Sequence, residues 1–317
     1  MDRPDLSVVI VSWNTRDLLR DCLASVFAEP SGLKLEVFVA DNASSDGSAQ
    51  MVRDSFSKVR LIENEKNLGF AAANNAVFPL CQSDKILLLN PDTVVKADAL
   101  RVLSAFLDRH AEAGAVAPKL AQTEADVDIL GCGNLLTLET SINHWLFLAR
   151  WFPRIFDGIY YYAGVHDDKT REVGWVSGAC MLVRRAVIDQ VGPLHERWFM
   201  YAEDHEWCAR MKQAGWRIFH VPAAVVEHRH GASFQQNEAI SLSPITAERE
   251  LFIHLNHPSR LELLIYDLTR TIGFGLRATG YFLRGIVGVA SWRSARIDKA
   301  KIFLAYTKAA LRSLASP

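Results

Sequence analysis

The strongest constraint in this chain is a rhythm. Short apolar runs without alternation are each followed by a helical pattern and then by polar, turn-forming residues. Leu6 to Trp13 opens it, a run rich in Val and Ile. Such a run fits a strand covered on both faces, as in a parallel sheet. Asp17 to Phe27 follows with Leu18, Leu19, Cys22, Leu23 and Val26 at helical spacing. The pattern predicts strands at Leu35 to Ala40, Val59 to Ile62, Lys85 to Leu89 and Ala115 to Ala117. Helices are predicted at Ser48 to Phe56, Phe70 to Leu80 and Asp98 to Arg109. After a less regular, aromatic-rich stretch, 119–171, read as an insertion or lid, it predicts a strand at Trp175 to Val183 and a helix at Arg184 to Val191. A helix at Glu203 to Ala214, ended by Gly215, and a strand at Arg217 to Val221 complete it.

This alternation predicts an α/β fold with a doubly wound, mostly parallel, Rossmann-like sheet over residues 1–240, and a helical, basic region over 241–317. Ligands of such sheets lie beyond the carboxyl ends of the strands. Polar residues stand at those positions: Trp13-Asn14, Asp41, Asn67 and Asn90-Pro91-Asp92.

The net charge of −1 gives no support to a nucleic-acid partner. The charge is unevenly spread. From Ala247 onward eleven basic residues face five acidic ones, a balance of +6, while the other 24 basic and 31 acidic residues balance at −7. A basic end suggests an anionic surface as partner. No stretch reaches the roughly 18 uncharged apolar residues of a spanning helix, and Ile272 to Ala290 is interrupted by Arg277 and Arg284. The tail is therefore expected to dock on a membrane face without crossing it. Phe274, Tyr281, Phe282 and Trp292 would lie at headgroup level and Arg277, Arg284 and Arg293 would meet anionic lipid. Packing on the α/β domain or a homodimer interface is the alternative. The five cysteines, Cys22, Cys81, Cys132, Cys180 and Cys208, lack metal-ligand spacing and read as reduced core residues. No signal peptide precedes the first strand, so a cytoplasmic location is expected, peripheral on the inner face of the cell membrane if the tail docks.

Asp41 ends a buried strand, where a carboxylate can accept hydrogen bonds from a base or ribose; a turn aspartate is the structural alternative. Asn67-Leu68-Gly69-Phe70 opens a helix at a glycine, which lets backbone approach a ligand or another element closely. Asp92 leaves a buried strand and could hold a divalent cation bridging a diphosphate, or close an Asx turn. At about 100° per residue, Asp204 falls within the apolar stripe of its helix and Glu203 at its flank. An inward carboxylate needs a partner or a cleft, which suits a general base, although helix-dipole placement also favours acids there. His228 and His230 could complete a metal site or serve structure alone.

In order, Ser7 to Asn14, Asp41-Asn42-Ala43-Ser44, Asn67-Leu68-Gly69-Phe70, Asn90-Pro91-Asp92, Gly174 to Ala179, Glu203-Asp204 and His228-Arg229-His230-Gly231 resemble glycosyltransferase family 2, a GT-A fold, in its rhamnosyltransferase-like branch. The resemblance implies that Asp41 binds the pyrimidine base. Ser12, Asn14, Asn67, Gly69 and Asn90 would belong to the nucleotide-sugar pocket. It implies a divalent cation, Mg²⁺ or Mn²⁺, held by Asp92 and by His228 or His230, and Asp204 as base. Trp175, Ser177, Gly178 and Glu203 would shape the donor-sugar and acceptor pocket. Asn90 stands where the family's metal motif begins with an acid, which predicts weaker metal affinity.

The expected activity is inverting transfer of a sugar, with rhamnose from dTDP-rhamnose the favoured donor, to a glycan or lipid-linked acceptor in cell-surface polysaccharide synthesis. A UDP-sugar donor (GlcNAc or galactofuranose) is the alternative within the family, and a catalytically inactive nucleotide-sugar-binding scaffold the alternative outside enzymes. A nucleotidyltransferase would want a Gly-rich, basic loop after the first strand, where Ser12-Trp13-Asn14-Thr15 stands.

Overall fold

The computed structural model describes residues 3–28, 30, 32–122, 130–162, 166, 169–229, 243–287 and 290–315. In chain order the elements are β1 (Leu6–Ser12), α1 (Arg16–Ala28), β2 (Leu35–Asp41), α2 (Ser48–Ser55), β3 (Val59–Glu63) and α3 (Gly69–Val77). A 3-10 turn (Phe78–Leu80) extends α3. Next come β4 (Lys85–Leu89), β5 (Thr93–Val95), α4 (Ala99–Arg109), β6 (Ala113–Gln122), β7 (Cys132–Gly133), α5 (Leu138–Trp145) and α6 (Leu148–Trp151). The chain continues with β8 (Arg171–Glu172), β9 (Trp175–Val176), β10 (Cys180–Arg184), α7 (Arg185–Val191), α8 (Glu203–Gln213), β11 (Arg217–His228), α9 (Ser243–Asn256), α10 (Arg260–Val287) and α11 (Ala290–Ala315). They form two compact units, Met1–Gly133 with Tyr160–Gln236, and Asn134–Ile159 with Asn237–Pro317.

In the first unit the described strands build a nine-stranded sheet in the order β3-β2-β1-β4-β10-β6-β11-β5, with β8 beside β11. β1 to β4 are parallel. β10 runs antiparallel between β4 and β6, and β5 antiparallel to β11. The missing alternation in β1 has its cause here, because both faces are covered. Leu6, Val8 and Ile10 join a core with Leu19, Leu23 and Val26 of α1 and Leu103 and Leu107 of α4. Val9 faces a second core with Ala71, Ala73 and Val77 of α3 and Trp207 and Met211 of α8. Each fully buried Leu or Val contributes about 1.5–3 kcal/mol. After β3 the chain crosses back past β1, so the switch of strand order lies between β1 and β4, and its crevice beyond their carboxyl ends.

Three local expectations change. Trp175 to Val183 is two strands, because the turn at Ser177-Gly178-Ala179 breaks it; β9 leaves to pair with β7. A Cβ on Gly178 would lie 2.9 Å from Phe70 Cζ, so the turn packs tightly on α3. β11 runs past Val221 to His228, and Pro222, which has no N–H to donate, sits at a register shift between Val221 and Val225. The stretch 119–171 is divided: β6, β7 and β8 pair within the first unit, whereas Asn134–Ile159, with α5 and α6, belongs to the second. All five cysteines are buried free thiols.

In the second unit α10 and α11 form an antiparallel pair. Arg296 donates to the Arg284 carbonyl, and Phe274 packs on Phe303 and Tyr306. α5 lies against α10 at Gly273, where a Cβ would stand 2.7 Å from the Trp145 carbonyl oxygen. Asp267 accepts two hydrogen bonds from Arg249, at 2.9 Å from Nε and 2.9 Å from Nη2. Two tail expectations are corrected by this packing. Phe274 is buried against Trp145, and the Arg277 guanidinium lies over the Trp145 and Phe147 rings, at 4.8 and 4.3 Å. Neither faces outward, because the glycine-mediated approach of α5 covers that side of α10.

Candidate active site

The site begins where β1 and β2 end in register, Ser12 opposite Asp41. Ser12 Oγ lies 2.9 Å from Thr15 Oγ1. The Asn14 N–H donates to Ser44 Oγ at 2.9 Å and its Oδ1 accepts from the Ser45 N–H at 2.7 Å, tying the two loops together. Asp41 Oδ2 accepts the Ser44 N–H at 2.9 Å, the turn role. Its Oδ1 is buried without a hydrogen bond. A buried acceptor left unsatisfied costs about 1–3 kcal/mol, which a donor on a bound base or ribose would recover.

Asn67 Oδ1 accepts from the Gly69 N–H (2.9 Å) and from Asn42 Nδ2 (3.1 Å); Asn42 also donates to the Gly69 carbonyl and accepts from Asn64 Nδ2. Gly69 has φ +80, and a Cβ there would sit 2.4 Å from the Phe199 carbonyl oxygen, which the Phe70 N–H also meets at 3.0 Å. The close approach that Gly69 permits is thus to Phe199.

Asn90-Pro91-Asp92 leaves β4 and enters β5. The Asn90 N–H donates to the Ala179 carbonyl at 2.9 Å. β5 pairs with the end of β11, Thr93 opposite His228. That pairing brings two residues 136 positions apart together: His228 Nε2 lies 3.2 Å from Asp92 Oδ1, and both side chains are buried. Asp92 Oδ1 makes no hydrogen bond with proper geometry. Among the described residues no group of three metal-ligating side chains occurs; His230 lies outside them. An Asp–His pair still fits as part of the ligand set of a divalent cation of the Mg²⁺ or Mn²⁺ type.

Beside this edge stands the start of α8. Tyr201 and Ala202 precede it with φ of 71° and 84°. Side chains other than glycine in this region cost about 1–3 kcal/mol each, strain that clusters at functional sites. It delivers Glu203 and Asp204 to the turn between β9 and β10. Asp204 Oδ2 accepts the Gly178 N–H at 2.9 Å and Oδ1 its neighbour's, His205, at 2.7 Å. Glu203 is buried, and its Oε2 has no hydrogen bond. Burial raises the pKa of Asp204 against those two N–H donors. Burial, then the Asp204 charge, pushes Glu203 up to about 8. Asp204 therefore ionises before Glu203, whose proton is held by burial and by the Asp204 charge. Trp175 is buried and stacked on His205, 4.9 Å between centroids, which fixes the floor below Ser177 and Gly178.

Glu203→Gln tests this split. A carboxyl raised from 4.5 to about 8 contributes stability that is full below pH 4.5 and is lost as pH rises through 8. The wild-type Tm is expected to fall between those limits, and the variant's Tm to fall less. Parallel Tm–pH curves for the two proteins would place the proton elsewhere.

Sequence reasoning gave no role to Asn42, which it named only within a motif, and missed Asn64, Phe199 and His205. Asn42 adjoins Asp41 in the same polar loop and was within reach. Tyr201 and Ala202 carry no glycine-like sign of their left-handed backbone.

A doubly wound sheet that presents a carboxylate pair and an Asp–His pair along one carboxyl edge is the framework of a nucleotide-dependent α/β enzyme. The chain belongs to the family described as Glycosyltransferase like family 2, which matches residues 4–240, and it is a glycosyltransferase. It is 29% identical over 263 residues to an N-acetylglucosaminyl-diphospho-decaprenol L-rhamnosyltransferase of Mycobacterium tuberculosis, covering 80% of this chain and 85% of that one. It is 26% identical over 231 residues to rhamnosyltransferase WbbL of Escherichia coli K12, covering 68% and 80%. The architecture is the GT-A fold. The mannosyltransferase PcManGT of Pyrobaculum calidifontis, solved with GDP-Man and Mn²⁺, superposes with a TM-score of 0.54 at 15% identity, covering 100% of this chain and 88% of that one.

Proposed function

We propose that this protein transfers L-rhamnose from dTDP-rhamnose to a lipid-linked or glycan acceptor with inversion at the anomeric carbon. The observation that carries the mechanism is the Asp204 carboxylate, which accepts the Gly178 and His205 N–H groups beside the buried Glu203. Asp204 takes the proton of an acceptor hydroxyl. That oxygen bonds to the anomeric carbon as the bond to the diphosphate breaks on the opposite face, and the nucleoside diphosphate leaves with the electron pair. One base suffices for this single displacement. Asp41 and the Asn67–Asn42 pair line the nucleotide end, and Asn14 holds its loops together. Ser12 and Asn90 close the strand ends, and Trp175, Ser177 and Gly178 floor the sugar end. Asp92 and His228 would hold a divalent cation, which when bound would neutralise charge on the diphosphate. The likeness to two rhamnosyltransferases supports the donor, and the decaprenol-linked substrate in the mycobacterial relative's name supports a lipid-linked acceptor.

The test is a donor screen by thermal shift and transfer assay, with product configuration read by NMR. dTDP-rhamnose is expected to raise the Tm most and to give a product of opposite anomeric configuration. A larger shift and turnover with UDP-GlcNAc or a UDP-galactofuranose would reassign the donor, and retained configuration would overturn the displacement.

A further inference from the structure

We infer that the exposed face of α10 docks on an anionic lipid surface. The helix has 28 residues, so its face is about 42 Å long at 1.5 Å per residue. Leu261, Leu268, Ile272, Leu276, Leu283 and Ile286 are all half or nearly half exposed or more. At about 100° per residue these six fall within about 80° of arc. No charged side chain of the helix falls on that arc: the exposed Glu262 lies about 40° beyond one edge, and Asp267, Arg270 and Arg277 point toward the far side, where Asp267 and Arg270 are buried. Leu264, Phe282 and Val287 widen the stripe at its edges, Val287 being 85% exposed. An apolar stripe this long and this free of charge, on a helix whose other face is already packed, is the pattern of a helix lying in the plane of a membrane interface.

The charge around the stripe selects the occupant. Arg260 and Arg284 lie about 80° beyond its two edges and are exposed, as are Lys301, Lys308 and Arg312 on α11. The segment from Ala247 onward balances at +6. Two copies joined through it would bring two such charges together, whereas anionic headgroups are attracted by each exposed Lys or Arg near the surface. No helix among the described residues is long and apolar enough to cross a membrane, so contact along the helix side is the available mode. Docking would hold the enzyme on the surface where a lipid-linked acceptor lies.

The experiment is flotation of the full chain with phosphatidylcholine vesicles, with and without phosphatidylglycerol, at low and high salt. The wild type is expected to float with the anionic vesicles at low salt and to be released by high salt. Leu268→Glu with Ile272→Glu is expected to lower vesicle affinity by at least about tenfold, and Arg260→Glu with Arg284→Glu to remove the preference for phosphatidylglycerol. Cooperative melting checks the fold; if the glutamate pair lost it, Leu276→Ser with Leu283→Ser would be read in the same titration. A wild type that stays at the bottom under every condition overturns the proposal, as does a stripe variant that floats unchanged. A wild-type dimer in light scattering that the stripe variant turns into monomer would assign the face to a second copy instead. None of these readings depends on sugar transfer, so they stand or fall apart from the proposed reaction.

Discussion

Replacing Asp204 by asparagine is expected to slow sugar transfer by about 10²–10⁴-fold, the usual cost of losing a general base, and to leave donor affinity close to wild type. The amide oxygen can still accept the Gly178 N–H, so the turn between β9 and β10 keeps its tie to α8. The nucleotide loops after β1, β2 and β3 do not touch Asp204 through any hydrogen bond described, and donor binding measured by calorimetry separates the two effects. Wild-type turnover would remove the base role from Asp204. A comparable loss in Glu203→Gln, with Asp204→Asn mild, would shift the role one residue back. The expected order follows from the split of the pair. Burial and the Asp204 charge outweigh the backbone hydrogen bonds that Glu203 accepts, so it keeps its proton to about pH 8 and is a poor base at neutral pH.

The sequence was most legible where one residue's neighbours in the chain are also its neighbours in space. The uninterrupted apolar run at β1, and the helical spacing of Leu19, Cys22, Leu23 and Val26, announced a sheet covered on both sides, and the structure has both cores. The candidate residues fall at the carboxyl edge because a parallel strand can end nowhere else. What stayed hidden depends on long-range pairing. β5 is three residues long, too short to read from period, yet its pairing with β11 is what sets Asp92 against His228. The role of Gly69 was open between ligand and packing. Phe199, 130 positions away, supplies the packing reason for the glycine, and no local pattern names Phe199. The left-handed Tyr201 and Ala202 are imposed by the surrounding structure and contradict their own propensity. At the tail, composition showed the basic excess but not which face of α10 was free; the approach of α5 at Gly273 turned Phe274 and Arg277 inward.

Asp92→Ala and His228→Ala are each expected to weaken nucleoside-diphosphate binding in the presence of Mn²⁺, and the double variant to lose less than the sum. The two side chains sit 3.2 Å apart, within reach of one ion, and groups that share a partner couple by about 0.5–3 kcal/mol. The measurement is a double-mutant cycle by titration calorimetry, run with Mn²⁺ and again in EDTA. With the ion removed, the wild type should drop to the affinity of the single variants and the coupling should fall to what the direct Asp–His contact supplies. Asn90 adds a graded arm. A neutral amide there removes one negative charge from the strand end, so Asn90→Asp is expected to tighten Mn²⁺ binding. Full transfer activity and unchanged affinity in excess EDTA would reject the metal role, and the Asp92–His228 contact would then be a structural clasp between β5 and β11. Strictly additive losses in Mn²⁺ would reject a shared ion even if binding needed one, and would direct attention to other donors at the same edge.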